Sequence, residues 1–588
     1  MKNWLRAALL SGFYGLWFLV FTWPLGAHFT TAFLADPAGD ANQFVWNVWH
    51  FDQAIATGSN PFITNWLFYP QGTSLLMHTY TPVLGLLGLV VGNPILAVNL
   101  GLLLSAAASG AGAYRLARRW VRSPVLALLA GFVFAYSPYK LQRLSQHVNL
   151  ELTATVPFYV LTFLRAFEFT EGQWLPRVRS WGAVAACAGL GVLTLLSDYY
   201  VLFGLLYFSL AYAAWFGLKL GRIRWRAWRT WAWLVGLLAI SHVLVRLLRM
   251  SGLPEKSIWW GGDLVSFLMP PPSSRWVYWD WAARLLHNPK VFNAPGSIEN
   301  TLFIGYALPL LALLLGVLRW GHRRPPSARF TDPGGRPLAW VLVVFLLFTI
   351  PSVRVLGHER LNLPTAALHF IPFLNNLRCP TRWIMMVGLL LPIISFSALE
   401  AAWASRLKPA TQLIFSLLLC AVVLVEFWPR PFPLQSISTV PRAYRQVAQL
   451  PGNSLITIPL GIVDGTRQVG RFNPVQLFYQ TQHRKKLPTG YISRVSPAQF
   501  ASLDAEPVLH ALLLAQTHPD SVVAAPGPTA AEVRDFLLRY RPAAFVVEPA
   551  YRNQPVHQRL RQLLLLVPPA YYHEQPVDSL VLFAPLRR

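Results

Sequence analysis

Apolar residues in this 588-residue chain are gathered into blocks whose length matches a bilayer. A helix rises about 1.5 Å per residue, so about 20 apolar residues cross a hydrocarbon core of about 30 Å. Such blocks lie near 7–25, 95–114, 124–138, 151–168, 181–197, 199–218, 230–248, 301–319, 337–353, 383–404 and 409–427. A further block at 80–92 is too short to cross alone and reads as a partial or re-entrant helix. The pattern predicts a polytopic α-helical membrane protein of about 11 spans. Only 13% of the residues are charged, against about 25% in soluble proteins. That deficit excludes a soluble multidomain enzyme and a disordered chain.

Loop charges give the orientation. Lys2 and Arg6 precede the first block and no small-x-small cleavage site follows it, so an uncleaved anchor with a cytoplasmic N-terminus is expected. The inner loops then include those at Arg115–Arg122, Lys219–Arg229 and Arg319–Arg336, and the one with Arg406 and Lys408, and each of these is basic. An odd number of crossings puts the C-terminus on the periplasmic or extracellular side of the cell (inner) membrane. The net charge of +26 is accounted for by these loops and by anionic headgroups, so membrane lipids and no nucleic acid are the expected partners. Cys187, Cys379 and Cys420 fit no metal spacing and imply no disulfide framework.

Three outer segments are long, at about 27–79, 249–300 and 354–382, and long loops on one side are candidate working parts. After about Pro429 no run is long enough to span. Asn453–Leu460, Pro542–Pro549 and Ser579–Leu586 read as strands, and Ala530–Tyr540 and Val556–Leu565 as helices between them. The expected division is a transmembrane part over 1–429 and an extracytoplasmic, soluble α/β domain over 430–588.

The first outer loop holds the leading candidates. From Phe44 onward, Phe44, Val45, Val48, Trp49 and Ile55 recur at helical spacing, which predicts an amphipathic helix lying in the membrane interface. Asp40 stands at its N-terminus. Asp40-x-x-Gln43 also reads as a capping box, and Asp36-Pro37 as a turn opener. Arg378 and Arg382 lie four apart, so on a helix they would share a face, and Arg forks suit phosphate oxygens. Headgroup contact is the equal alternative for them. Asp198 sits at a turn between two spans, and Glu299 at the start of a span, where it would favour the helix dipole. His78 and His147 are candidate substrate-binding residues, with a plain hydrogen-bonded role as the alternative.

Taken in order, Asp40 before a Trp-rich helix, Phe68-Tyr69-Pro70, His78 and Pro82 are similar to the GT-C superfamily of integral membrane glycosyltransferases. So are Phe134-Ala135-Tyr136-Ser137-Pro138-Tyr139 with His147, Ser197-Asp198-Tyr199-Tyr200, Glu299-Asn300-Thr301 before Gly305-Tyr306, and Leu377-Arg378-Cys379-Pro380-Thr381-Arg382. The resemblance, to a bacterial branch, covers roughly 1–430 and extends loosely to Gly490-Tyr491-Ile492-Ser493-Arg494. It implies transfer of a sugar from a polyprenyl-phosphate-linked donor to a lipid, glycan or protein acceptor at the outer surface, with inversion. By analogy Asp40 would be the base, with Asp198 and Glu299 as further catalytic candidates. Arg378 and Arg382 would hold the donor phosphate, and Asp36, His78 and His147 would contact substrate. The Asp-Asp or Asp-Glu pair of several relatives is absent, since Gly39 precedes Asp40, and the need for a divalent cation (Mg or Mn) stays open. The alternative function is a transporter or flippase for a lipid-linked glycan, without covalent chemistry. A third is an assembly factor for which the helices are an anchor.

Overall fold

The computed structural model describes residues 3–224, 227–251, 262–292, 297–322, 335–372, 374, 377–403, 406–519, 527–567 and 572–585. Arg226, Arg323, Arg324 and Arg329 of the basic loops, and Leu586 of the last expected strand, lie outside them. The chain divides into two compact units. One is Met1–Gly26 with Gly101–Phe432, the other Ala27–Leu100 with Pro433–Arg588. The sequence places a single boundary at 429/430. The first outer loop belongs instead to the same unit as the tail, because Ala32–Leu34 pairs antiparallel with Leu434–Ser436.

The first unit is helical. Among the described residues, seven helices of the whole chain are long and apolar enough to cross a membrane: Trp4–Phe21, Pro94–Ala117, Pro124–Leu141, Tyr199–Gly217, Trp228–Met250, Pro380–Trp403 and Pro409–Phe427. The protein is a polytopic helical membrane protein. The other four expected crossings are apolar helices of 12, 15, 16 and 14 residues: Thr155–Ala166, Trp181–Leu195, Ala307–His322 and Arg336–Thr349. Two of them run on into short strands, Phe167–Glu168 and Ser352–Val355, and one is preceded by buried irregular chain. Leu302, Phe303 and Ile304 are buried yet not helical, and the helix after them begins only at Ala307, whose N–H is held by the Glu426 carboxylate.

Burial separates the helices by role. Ile384–Trp403 is buried along nearly its whole length and packs on Pro124–Tyr136, Ala307–His322 and Arg336–Thr349. Trp228–Met250 and Pro409–Phe427 instead expose Trp233, Val235, Ile240, Ile414, Leu418 and Val422. Apolar exposure on that scale belongs against lipid. Close approach of backbones uses small residues. A Cβ at Gly110 or Gly131 would collide with the buried Tyr14, whose hydroxyl donates to the Leu128 carbonyl at 3.0 Å.

The second unit carries a four-stranded sheet in the order His573–Val577, Leu580–Ala584, Pro542–Val547, Ser454–Ile458. The last two strands are parallel and the others antiparallel. Three of these strands, and the helices Ala530–Tyr540 and Pro555–Leu565, form where the sequence expects them. Every residue of Ser454–Ile458 and Pro542–Val547 is buried, as strands covered on both faces must be. The first-loop helix, Ala41–Ala56, packs on the helices Pro82–Val91 and Val475–His483. Trp46 and Trp49 are therefore buried, with Trp46 Nε1 donating to Gln480 Oε1 at 2.6 Å. The expectation of a helix with Trp rings at headgroup depth is corrected: both faces of this helix are covered within its own unit. Pro82–Val91 has ten residues, about 15 Å of helix, and ends at Gly92 in the left-handed conformation, φ 66°.

Candidate functional site

Asp40 occupies the N-cap position of Ala41–Ala56, but its side chain makes no capping hydrogen bond. The turn before it is closed by other groups. Asp36 Oδ1 accepts from the Ala38 N–H at 3.0 Å, as an Asp-Pro turn allows, and the Asn42 amide donates to the carbonyls of Asp36 and Gly39 at 3.0 Å each. Asp36 is thus a turn residue. The Asp40 carboxylate instead accepts from the Tyr491 hydroxyl through Oδ1. The capping-box expectation is not met, and the carboxylate is held from the tail segment.

A second contact joins the same two stretches. The Ser493 N–H donates to His78 Nδ1 at 3.1 Å, so the ring proton sits on Nε2, which faces Asn47 Oδ1 at 3.2 Å. The Asn47 amide donates to the Thr79 carbonyl at 3.0 Å, and the Thr79 N–H donates to Ser493 Oγ at 3.1 Å. Burial pushes His78 down to about 3, and the nearby His50 acts in the same direction. His78 is a neutral strut that fixes the segment carrying Tyr491 rather than a base. Asp40 and Asn47 lie seven apart on one stripe of their helix, so both grips fall on one face.

The remaining candidates lie in the helical unit. Glu299 is buried and receives Arg382 (Nη2 to Oε1, 2.5 Å; Nε to Oε1, 3.1 Å) and Arg143 (Nη2 to Oε2, 3.3 Å). His147 Nε2 is 3.9 Å from Glu299 Oε1. Burial alone would raise the Glu299 pKa, but the charges of Arg382, Arg143 and His147 outweigh it and hold the carboxyl well below its usual range. Glu299 does not begin a helix, which corrects the dipole expectation. Arg143 also donates to the carbonyls of Tyr139 and Ile298, and its guanidinium lies 3.8 Å from the Tyr139 ring centre. Arg382 stacks on Tyr200 at 4.6 Å. The buried carboxylates of Asp198 and Glu151 also lie within electrostatic reach of Arg382 and Arg143 respectively, so the cluster mixes both signs of charge.

Asp198 caps Tyr199–Gly217, accepting from the Val201 N–H at 2.9 Å, and takes the Asn149 amide at 2.5 Å on its other oxygen. It is buried rather than facing water. Arg378 and Arg382 do not share a helix. Arg378 is in irregular chain, half-buried, and Arg382 is in the short turn Pro380–Trp383. The residue before a proline is pushed out of helical conformation, and Cys379 sits at φ −116°, ψ 76°. Sequence reasoning missed Arg143 and did not single out Tyr491. The Lys140, Arg143, His147 spacing on a polar stretch was the available signal for the first.

Among the described residues no group of three or more His, Cys, Asp or Glu side chains is placed to hold a metal ion. Asp40 has a phenol bonded to it where a Mg or Mn site needs further oxygen ligands, so the donor set does not fit a divalent cation and no step is assigned to one.

A family model described as a domain of unknown function, DUF6311, matches residues 12–428. The chain belongs to the DUF6311 family. The match takes in Asp40, Arg143, Asp198, Glu299 and Arg382, and stops short of Tyr491. No curated protein matches this DUF6311 chain. Among solved structures it is similar to the arabinofuranosyltransferase AftD from Mycobacteria, with TM-score 0.48 and 16% identity over 100% of this chain and 40% of that one. It is also similar to the archaeal oligosaccharyltransferase AglB from Archaeoglobus fulgidus in complex with an inhibitory peptide and a dolichol-phosphate. There the TM-score is 0.42 and the identity 12%, over 100% of this chain and 74% of that one. A third likeness is to the apo form of an Archaeoglobus fulgidus oligosaccharyltransferase, TM-score 0.39 and 11% identity, covering 97% and 72%. The DUF6311 chain spans 40% of the length of AftD. Likenesses at this level carry no argument about what the chain does.

Proposed function

We propose that this protein is a membrane glycosyltransferase that moves a sugar from a polyprenyl-phosphate donor to an acceptor hydroxyl, with Asp40 as the base. The observation that carries the reading is the Asp40 carboxylate. It stands at a helix start without capping it and is oriented by a phenol. Oriented in this way, a carboxylate suits proton abstraction.

In the reaction the acceptor O–H proton passes to Asp40 and the oxygen attacks C1 of the donor sugar from the face opposite the phosphate. The C1–O bond breaks, and polyprenyl phosphate leaves with the electron pair. A leaving phosphate needs fixed cations, which count for more where water is scarce. Arg382 and Arg378 are the candidates for that role, proposed on the chemistry of the guanidinium fork alone. Asp198 and His147 position the surrounding chain. In this reading the N-terminus is cytoplasmic and residues 430–588 lie outside, which the basic inner loops support.

The test is a membrane assay with radiolabelled polyprenyl-phosphate sugars, comparing wild type with Asp40→Asn. Label transferred by wild type and not by the variant supports the reading. Label that crosses the membrane still attached to its lipid, equally in both proteins, identifies a carrier instead.

A further inference from the structure

The unit formed by Ala27–Leu100 and Pro433–Arg588 contains a cleft of about 510 Å³ that none of the roles above uses. Sites for small molecules occupy about 300–1,000 Å³. One wall is apolar, from Trp49 on the Ala41–Ala56 helix and Ile95 at the start of the next long helix. The opposite wall is polar. It comes from Gln449, the last residue of the helix Arg442–Gln449, from Gln482 and His483 at the end of Val475–His483, and from Arg484 beyond it.

Three properties of this lining define a ligand. No acidic residue contributes to it, which leaves nothing to hold a cation. Donors are present and unspent. Trp49 Nε1 and His483 Nε2 are buried atoms without a hydrogen-bond partner. The Lys485 N–H occupies His483 Nδ1 at 3.0 Å, so the proton of the neutral ring is on Nε2. Burial, with Lys485 nearby, pushes His483 down to about 3, which keeps it neutral. Acceptors are present too, in the side-chain amides of Gln449 and Gln482 at the two helix ends. Arg484 is exposed at the rim in left-handed backbone, φ 54°, and adds a fork of donors.

A ligand that offers donors and acceptors around one small frame, with C–H faces for an apolar wall and no net charge, is a polyol ring. We propose that this cleft binds a neutral saccharide. The inference goes beyond the Asp40 reading and uses none of its residues.

The experiment uses the full chain purified in detergent, with maltotriose, mannotriose and arabinotriose as neutral probes and trigalacturonate and inorganic phosphate as charged ones. Binding is read by saturation-transfer NMR and titration calorimetry. At least one neutral trisaccharide is expected to bind, at least tenfold more weakly to Gln449→Trp, whose exposed starting position lets the new ring fill the mouth without disturbing the core. Arg484→Gly, which removes the guanidinium and suits the backbone, is expected to weaken it severalfold. Asp40→Asn is expected to bind as wild type, so the result is independent of whether Asp40 is the base. The proposal is overturned if no neutral probe binds, if Gln449→Trp binds as wild type, or if a charged probe binds in preference to all three neutral ones.

Discussion

The Tyr491 hydroxyl donates to the Asp40 carboxylate across 451 positions of sequence, and both residues belong to one compact unit. A carboxylate at a helix start is usually tied to the backbone amides behind it. Here the phenol takes that place, and the Asn42 side-chain amide braces the preceding turn by donating to the Asp36 and Gly39 carbonyls. Chemistry at Asp40 and stability of its helix are therefore separable.

Asp40→Asn and Asp40→Ala should both lower turnover by about 10² or more, the usual loss with a general base. Neither loses a cap bond, since none exists. Asp40→Asn, whose amide oxygen can still accept from Tyr491, should unfold near wild type, whereas Asp40→Ala gives up that hydrogen bond. Turnover and thermal unfolding on the same preparations check this. Near-normal turnover would transfer attention to Asp36 or Asp198.

Tyr491→Phe removes one hydroxyl and leaves the ring. A hydrogen bond to a charged group is worth about 1.5–3 kcal/mol, so kcat should fall by about tenfold or more while KM for the donor stays close to wild type. The same drop in KM and kcat together, with a lower Tm, would mark Tyr491 as structural instead.

Glu299→Gln leaves Arg143 and Arg382 charged in a buried place. Removing one partner of a buried pair costs about 3–5 kcal/mol, so a large fall in Tm is expected, larger than for Arg143→Gln. The pH dependence follows from the depressed carboxyl pKa. The contribution of Glu299 is present in full above the ordinary carboxylate value of about 4.3. It is lost as pH falls from there through the lower folded value. Unfolding curves between pH 8 and 5 should show no loss from this group.

His78 works with the same sign over a different window. A ring neutral in the fold and free to charge when unfolded favours unfolding as acid is added. Its contribution is whole above about pH 6.5 and is lost as pH falls toward about 3. Tm measured at pH 7.5, 6 and 5 should decline less steeply in His78→Gln than in wild type. Parallel slopes would refute the neutral-strut role.

What the sequence reveals of this molecule is what lies close together along it. The helix after Asp40 and the tail strands are set by residues within a few positions of one another, and they form where expected. The partners of those residues are not local. Tyr491 for Asp40, Ser493 for His78 and Arg143 for Glu299 are separated from them by long stretches, and no periodicity links the members of each pair. The pairing of Arg378 with Arg382 on one helix face failed for a local reason that was legible: Pro380 between them already forbids a continuous helix through Cys379. The start of the helix Ala307–His322 was set too early because hydropathy counts buried irregular chain, here Leu302, Phe303 and Ile304, and helix alike.

The interleaving of Ala27–Leu100 with Pro433–Arg588 has a consequence for biogenesis. Ala32–Leu34 cannot find Leu434–Ser436, nor Asp40 its tyrosine, until the ribosome has made everything between. At about 5–20 residues per second, that wait is on the order of 20–90 s. In the proposed topology the first segment, with Trp46, Trp49 and Phe44 destined for burial, spends that time on the far side of the bilayer without its other half. Its shelter in the interval has to come from the translocation machinery, the membrane surface or a chaperone on that side.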